Sequence, residues 1–175
     1  MKKTYALAFS SVIAALSLTL MFLTTFIPIG TYAIPCATGA FLAAVVIESG
    51  YVTATVCYVV VSVLSVLLVG DKEAVVYYIA FLGFYPILKG LIERIKSKVL
   101  QYLLKYLVFN ASMIAAFFAG IYLLSVPKES FVLFGVYLPW VFLALGNALF
   151  ILYDVCLTRV ISQYAASWRK KLKIR

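Results

Sequence analysis

Three carboxylates lie in or beside long apolar runs of the chain: Glu48, Glu93 and Asp154. Acids at membrane depth carry proton relays and ion pathways, so each is first weighed as a proton carrier. Glu48 and Glu93 fall at the ends of their runs, where water is expected to solvate them. Asp154 stands about one turn inside its run and could pair with Arg159 or Lys89. A relay wants more than one acid at depth, so ion pairing near a helix end is the favoured role for Asp154. Lys89 and Glu93 are four residues apart, on one helical face, and could pair and snorkel. The chain has no histidine, which removes Ser-His and Cys-His nucleophile pairs and His-ligated zinc. No Gly-rich phosphate loop occurs either, so the chain does not hydrolyse nucleotides by itself. Cys36, Cys57 and Cys156 are odd in number and widely spaced, neither a disulfide framework nor a zinc pattern. No catalytic cluster assembles, and neither enzyme, cofactor nor metal is expected.

Aromatic residues are the second source of chemistry. Thirteen tyrosines and thirteen phenylalanines are many for 175 residues, and several tyrosines stand away from obvious interfacial belts. Rings at membrane depth either pack as a girdle or line a pocket that stacks on a flat ligand. In the pocket reading, hydroxyls and amides orient the ligand. Tyr78, Tyr122, Tyr137, Trp140 and Asn147 are the candidates for substrate binding, each a polar handle on a membrane-depth side chain. Lys72, Glu73 and Lys128 flank the expected mouth. The uncharged segment from Ile27 to Pro35 is expected to be a loop that closes over it.

The elements that must position these groups are membrane helices. Hydrophobic residues make up 66% of the chain and charged ones 12%, with a mean hydropathy of +1.11. Too few polar groups remain to cover a water-soluble fold. A hydrocarbon core about 30 Å thick needs roughly 20 apolar residues in a helix. Breaks in the pattern predict six spans at about 4–26, 36–47, 51–69, 74–92, 101–124 and 131–161, with Pro86 kinking the fourth. The fold class is therefore an all-α integral membrane protein, a single transmembrane domain over 1–175. The apolar run after Met1-Lys2-Lys3 is longer than a signal-peptide core and lacks a cleavage pattern, so it is kept as the first span.

Charge sets the orientation. With the N-terminus inside, twelve Lys and Arg residues fall on the inner side: Lys2, Lys3, Arg94, Lys96, Lys98, Lys105, Arg159 and the five from Arg169 onward. Only Lys72 and Lys128 fall outside, and Lys89 lies within the fourth span. That bias places both termini in the cytoplasm and the chain in a bacterial cytoplasmic membrane, as a multi-pass protein. The net charge of +9 sits just beyond helix ends, where it meets lipid phosphates, so nucleic acid is not an expected partner.

Helix one carries small residues on two faces. Ala6, Ser10, Ala14 and Ser17 share one, and Ala8, Ser11 and Ala15 the roughly opposite one. Such stripes let a second helix approach closely. One is explained by packing inside the bundle; the other invites a partner, and Ala6, Ser10, Ala14 and Ser17 are taken as the docking face. The stretch from Tyr5 to Leu16, with its Ala and Ser pairs, resembles the alanine-rich first helix of the substrate-binding S-component of an energy-coupling factor (ECF) transporter. Pro28-Ile29-Gly30 and the loop to Pro35 resemble that family's first external loop. Size, six-span topology and charge layout are similar along the whole chain. The resemblance implies a subunit that binds a vitamin or other micronutrient at its outer face. It also implies a coupling transmembrane subunit and two ATPase subunits that drive uptake. The alternative is a small membrane scaffold of the cell-shape (MreD-like) type with no ligand.

Overall fold

The computed structural model describes residues 3–27, 30–123, 132–133, 136–137 and 139–168. Among these residues, six helical segments are long and apolar enough to cross a membrane. The chain is an all-α membrane bundle, and its outer surface is what lipid requires. On α3 (Tyr51–Leu68), Val52, Val56, Val59, Val63 and Leu67 are all exposed. Water would penalise that face, whereas hydrocarbon tolerates it because every backbone group is bonded within the helix.

Helix α1 spans Lys3–Leu23. Its hydroxyls turn back onto their own backbone: Ser10 donates to Ala6 O at 2.7 Å, Ser11 to Leu7 O at 2.9 Å and Thr19 to Ala15 O at 2.9 Å. Polar side chains thereby satisfy themselves in an apolar solvent. Helix α2 spans Gly30–Ser49, starting six residues before the expected 36. The segment expected as a closing loop is therefore mostly helix, apart from Pro28 and Ile29, which lie outside the described residues. Pro35 is only the sixth residue of α2, so its missing N–H removes one bond near the helix start, and the Thr38 hydroxyl donates to Pro35 O at 2.8 Å.

Gly50 alone links α2 to α3. Its φ of 87° lies in the left-handed region, which a side chain would strain. Beyond α3, the Lys72 ammonium donates to Val66 O at 2.7 Å and Val69 O at 2.9 Å, closing the exposed carbonyls of that helix. Asp71 caps α4 (Lys72–Tyr77), accepting from Ala74 N at 3.0 Å.

The fourth span is not one helix. A single π-helical stretch, Tyr78–Leu82, follows α4, and α5 begins at Tyr85 and ends at Ile92. The break falls at Gly83–Phe84, where Pro86 in the first turn of α5 needs no N–H partner. Helix α6 (Lys98–Leu123) is the fifth span. Before the last helix, two short strands pair antiparallel, Val132 with Tyr137 and Leu133 with Val136. Helix α7 then runs Pro139–Gln163 and continues as a π-helical turn, Tyr164–Trp168. The sixth helix thus starts at Pro139 rather than 131. Proline fits the first helical position because its absent N–H has no intrahelical partner there.

Six crossings put the start of α1, the Gly50 link, the 93–97 turn and the end of α7 at one end of the bundle, here the basic end. Arg94 stacks over the Tyr51 ring at that end, 4.7 Å from its centroid. Two apolar clusters fill the interior. One joins α1 to α4 around Met21, Leu42, Val45, Val61 and Tyr78. The other is aromatic and joins the fourth span to α6 and α7 through Phe81, Tyr85, Phe109 and Phe150.

Candidate functional site: the broken fourth span and the charges beneath it

Half of the fourth span is buried, against 17% of the fifth and 11% of the sixth, so it is the centre around which the others gather. Its π stretch closes through Gly83 N donating to Tyr78 O at 2.8 Å. A wider turn leaves nearby carbonyls without helical partners, and two tyrosines from other spans supply them. The Tyr58 hydroxyl of α3 donates to Ile79 O at 2.7 Å, and that of Tyr153 in α7 reaches Leu82 O at 3.5 Å. From the third side, α2 touches the break with its backbone. A Cβ on Gly39 would lie 2.3 Å from Leu82 O and 2.9 Å from the Tyr153 hydroxyl, so only glycine permits this approach.

An aromatic layer lies next to the break. Phe81 and Tyr85 sit 4.6 Å apart, and Phe109 stacks on Phe150 at 4.7 Å with 13° between the planes. Phe81 meets the Phe109 edge at 5.2 Å. Quadrupole-matched contacts of this kind add about 0.5–1.5 kcal/mol per pair to plain burial.

Beneath that layer, toward the basic end, four charges meet. Lys89 and Lys105 are both buried, with 1% and 5% of their side chains exposed. Lys89 Nζ bonds Asp154 Oδ1 and pairs with Glu93 Oε1 at 2.9 Å. Lys105 Nζ pairs with Glu93 Oε1 at 2.8 Å and Asp154 Oδ2 at 3.0 Å. The Tyr85 hydroxyl donates to Asp154 Oδ1 at 2.5 Å, tying the aromatic layer to the charges. Two cations and two anions make a neutral set, the condition under which charges persist at membrane depth. Burial pushes the Glu93 carboxyl up, but Lys105 and Lys89 together outweigh it and hold it below its ordinary value. Seven residues into α6, Lys105 stands about 10 Å from the helix start, well inside the span rather than on the connecting loop.

A third polar layer joins α6 to α7. Asn110 and Asn147 exchange side-chain amide hydrogen bonds of 3.0 Å in both directions. Each also donates to the carbonyl one turn earlier, Tyr106 O and Leu143 O, at 2.9 Å.

The five residues expected to bind substrate do not converge. Tyr78 is fully buried in the cluster shared with α3, its hydroxyl without a hydrogen-bond partner among the described residues. Asn147 is inside but spends its amide on Asn110. Tyr122 and Trp140 point outward, 79% and 74% exposed. Tyr137 lies in the second strand, and its side chain is outside the described residues. Of the residues at the expected mouth, Lys72 caps α3, Glu73 accepts from the Tyr32 hydroxyl at 2.7 Å, and Lys128 lies outside the described residues. The Tyr32 ring meets Tyr77 at 5.2 Å, and Thr31 donates to Asp71 at 2.8 Å. The end opposite the basic one therefore carries its own polar and aromatic group, on α2 and α4.

The expected docking face of α1 also turns inward. Ser10 and Ser17 are buried, with Ala6 and Ala14 half-buried. The Ser10 hydroxyl, its proton on Ala6 O, accepts from that of Ser49 at 3.1 Å, and the Cys57 thiol reaches Ser10 O at 3.6 Å, because small residues let α2 and α3 close in. Ala8, Ser11 and Ala15 form the exposed face. Glu48, expected in water, is buried. Asp154 pairs with Lys89, one of its two expected partners, and with Lys105, whose position in the sequence suggested only topology. Among the described residues no three His, Cys, Asp or Glu side chains gather as a metal site. Comparison with family models, curated proteins and solved structures finds no match for the chain.

Proposed function

We propose that the chain is the membrane-embedded substrate-binding subunit of an ECF-type micronutrient importer. A coupling membrane subunit and two ATPase subunits would drive its transport. The observation that carries this reading is the fourth span, broken at membrane depth by a π turn and the Gly83–Phe84 step. A discontinuous helix at the centre of a bundle is a recurring place for transporter ligands, since half-helix ends and backbone groups freed from the helix can meet a ligand there. Tyr58, Tyr153 and the glycine contact from α2 hold it here. The Thr31, Tyr32, Asp71, Glu73 and Tyr77 group at the far end adds support, as polar handles beside two rings.

In this reading the basic end faces the cytoplasm of a bacterial cell, following the twelve-to-two charge bias. The coupling subunit meets α1 on its exposed small face, Ala8, Ser11 and Ala15, since the opposite face is used within the bundle. Native mass spectrometry of the protein purified from its own membranes tests the reading. A bound small molecule, co-purifying ATPase subunits, and loss of those subunits but not of the molecule in Ala8→Trp, are the expected results. Ligand-free protein that co-purifies with cell-wall synthesis components instead would overturn the importer and favour the scaffold.

A further inference from the structure

Tyr85 and Lys89 of α5 and Glu93, the residue that ends it, are spaced four apart, and so continue one stripe of that short helix. All three enter one network: Tyr85 and Lys89 bond Asp154, while Glu93 bonds Lys105 and Lys89. One end of α5 is the break at Gly83–Phe84, and the other runs straight into the 93–97 turn. Its backbone leaves the π stretch at a hinge-like step; side chains fasten it to α7, and side chains together with the 93–97 turn fasten it to α6.

We infer that α5 is a gate leaf and the four-charge cluster its latch, sealing the basic end of the bundle below the aromatic layer. The inference rests on the importer reading only for its purpose, the release of a ligand toward the cytoplasm. Three observations carry the seal itself. The cluster joins three of the four spans around the aromatic layer, Lys89 from the fourth, Lys105 from the fifth and Asp154 from the sixth, while α2 closes the remaining side with Ala43. It also bridges the interior to water, because 39% of the Glu93 side chain is exposed while Lys89 has only 1%. Finally, its members are unequal. Asp154 accepts from Tyr85 and both lysines, whereas Glu93 offers one oxygen, Oε1, to both lysines from the very end of α5. Glu93 is the removable member. Without it, two buried ammonium groups share one carboxylate, and the excess positive charge in a low-dielectric setting drives α5 away from α6 and α7. Removing one cation together with Glu93 restores neutrality.

The test measures accessibility and needs no ligand. In full-length protein lacking Cys36, Cys57 and Cys156, Phe109→Cys serves as a reporter in the aromatic layer. Its modification by a membrane-impermeant thiol reagent is followed from the basic side of oriented vesicles. The latched protein should react slowly. Glu93→Gln should speed the reaction at least about tenfold, and Glu93→Gln with Lys105→Met should return it to the slow rate. An unchanged rate in Glu93→Gln, or a fast rate in the double variant, overturns the latch. If Glu93→Gln does not fold, the reporter alone is titrated from neutral to acid pH against a free-thiol standard. A rate that rises as Glu93 takes up its proton supports the latch, and a flat profile refutes it. A missing small molecule or ATPase partner would sink the importer while leaving this seal untouched.

Discussion

The first three helices and the last three spans solve one problem differently. In lipid, apolar helices gain nothing from hiding hydrocarbon, so association must come from close contact or polar bonds. Helices α1 to α3 use contact: buried Ser10, Ser17 and Ala54 admit neighbouring backbones, Met21, Leu42, Val45 and Val61 fill the centre, and the Gly50 link keeps α2 beside α3. Spans five and six bury 17% and 11% of their length, and the first span also 17%, so the two regions differ in what their buried positions hold rather than in how much is buried. Spans five and six are held to the fourth span by rings and a neutral set of charges, and to each other by a pair of amides. Attraction in the first region is spread over many atoms, while in the second it is concentrated in a few. Single substitutions should expose that difference.

The largest effect is expected from Asp154→Asn, which leaves two buried lysines facing Glu93 alone. Thermal unfolding in detergent should show a loss of about 3 kcal/mol or more. A loss no greater than that of Met21→Ala would erase the contrast between the regions. Next comes Gly39→Val, on the seam where both regions meet the broken span. A Cβ there strikes the Leu82 carbonyl, which is backbone and cannot rotate away, so about 2 kcal/mol should be lost. A neutral outcome would mean that α2 does not touch the break. Asn147→Ala should cost about 1 kcal/mol, in keeping with interhelical hydrogen bonds in membranes. It should also weaken α6–α7 cross-linking without disturbing α1 to α3.

The smallest effect is a pH dependence. Glu93 has its folded pKa held below the ordinary carboxylate value. Its contribution is therefore complete above that ordinary value and fades as pH falls through the lower folded one. With 39% of its side chain exposed, the step should be under about 1 kcal/mol. Glu93→Gln should flatten it, and an identical acid profile in that variant would place the titrating group elsewhere.

Much of the bundle was legible because hydropathy speaks over twenty residues at a time. The six spans follow from runs of valine, leucine and isoleucine between charged seams. Local exceptions were harder. Pro35 read as a loop because proline usually ends helices, yet near a helix start it costs little. Pro139 began a helix that Phe131 had been expected to begin, since valine-rich stretches suit a strand as readily as a span. Helix rotation was the main blind spot. Hydropathy ranks Tyr78, Tyr122 and Trp140 alike, but one is sealed in the core and two face outward. Asp154 and Lys89 were recognisable as partners because charges at depth must be answered. Lys105 was not, because a lysine near a helix start also serves orientation, and only the pitch of α6 turns it inward.

The most direct test of a closed, neutral charge set is a double-mutant cycle between Lys105 and Asp154, read as unfolding free energy. Lys105→Met and Asp154→Asn each leave an unbalanced charge, whereas together they leave Lys89 paired with Glu93. The two losses should therefore fall short of additivity by about 2 kcal/mol or more. Additive losses, with coupling below roughly 0.5 kcal/mol, would mean that Lys105 and Asp154 do not share one set, and the account of how the last three spans are held would fail.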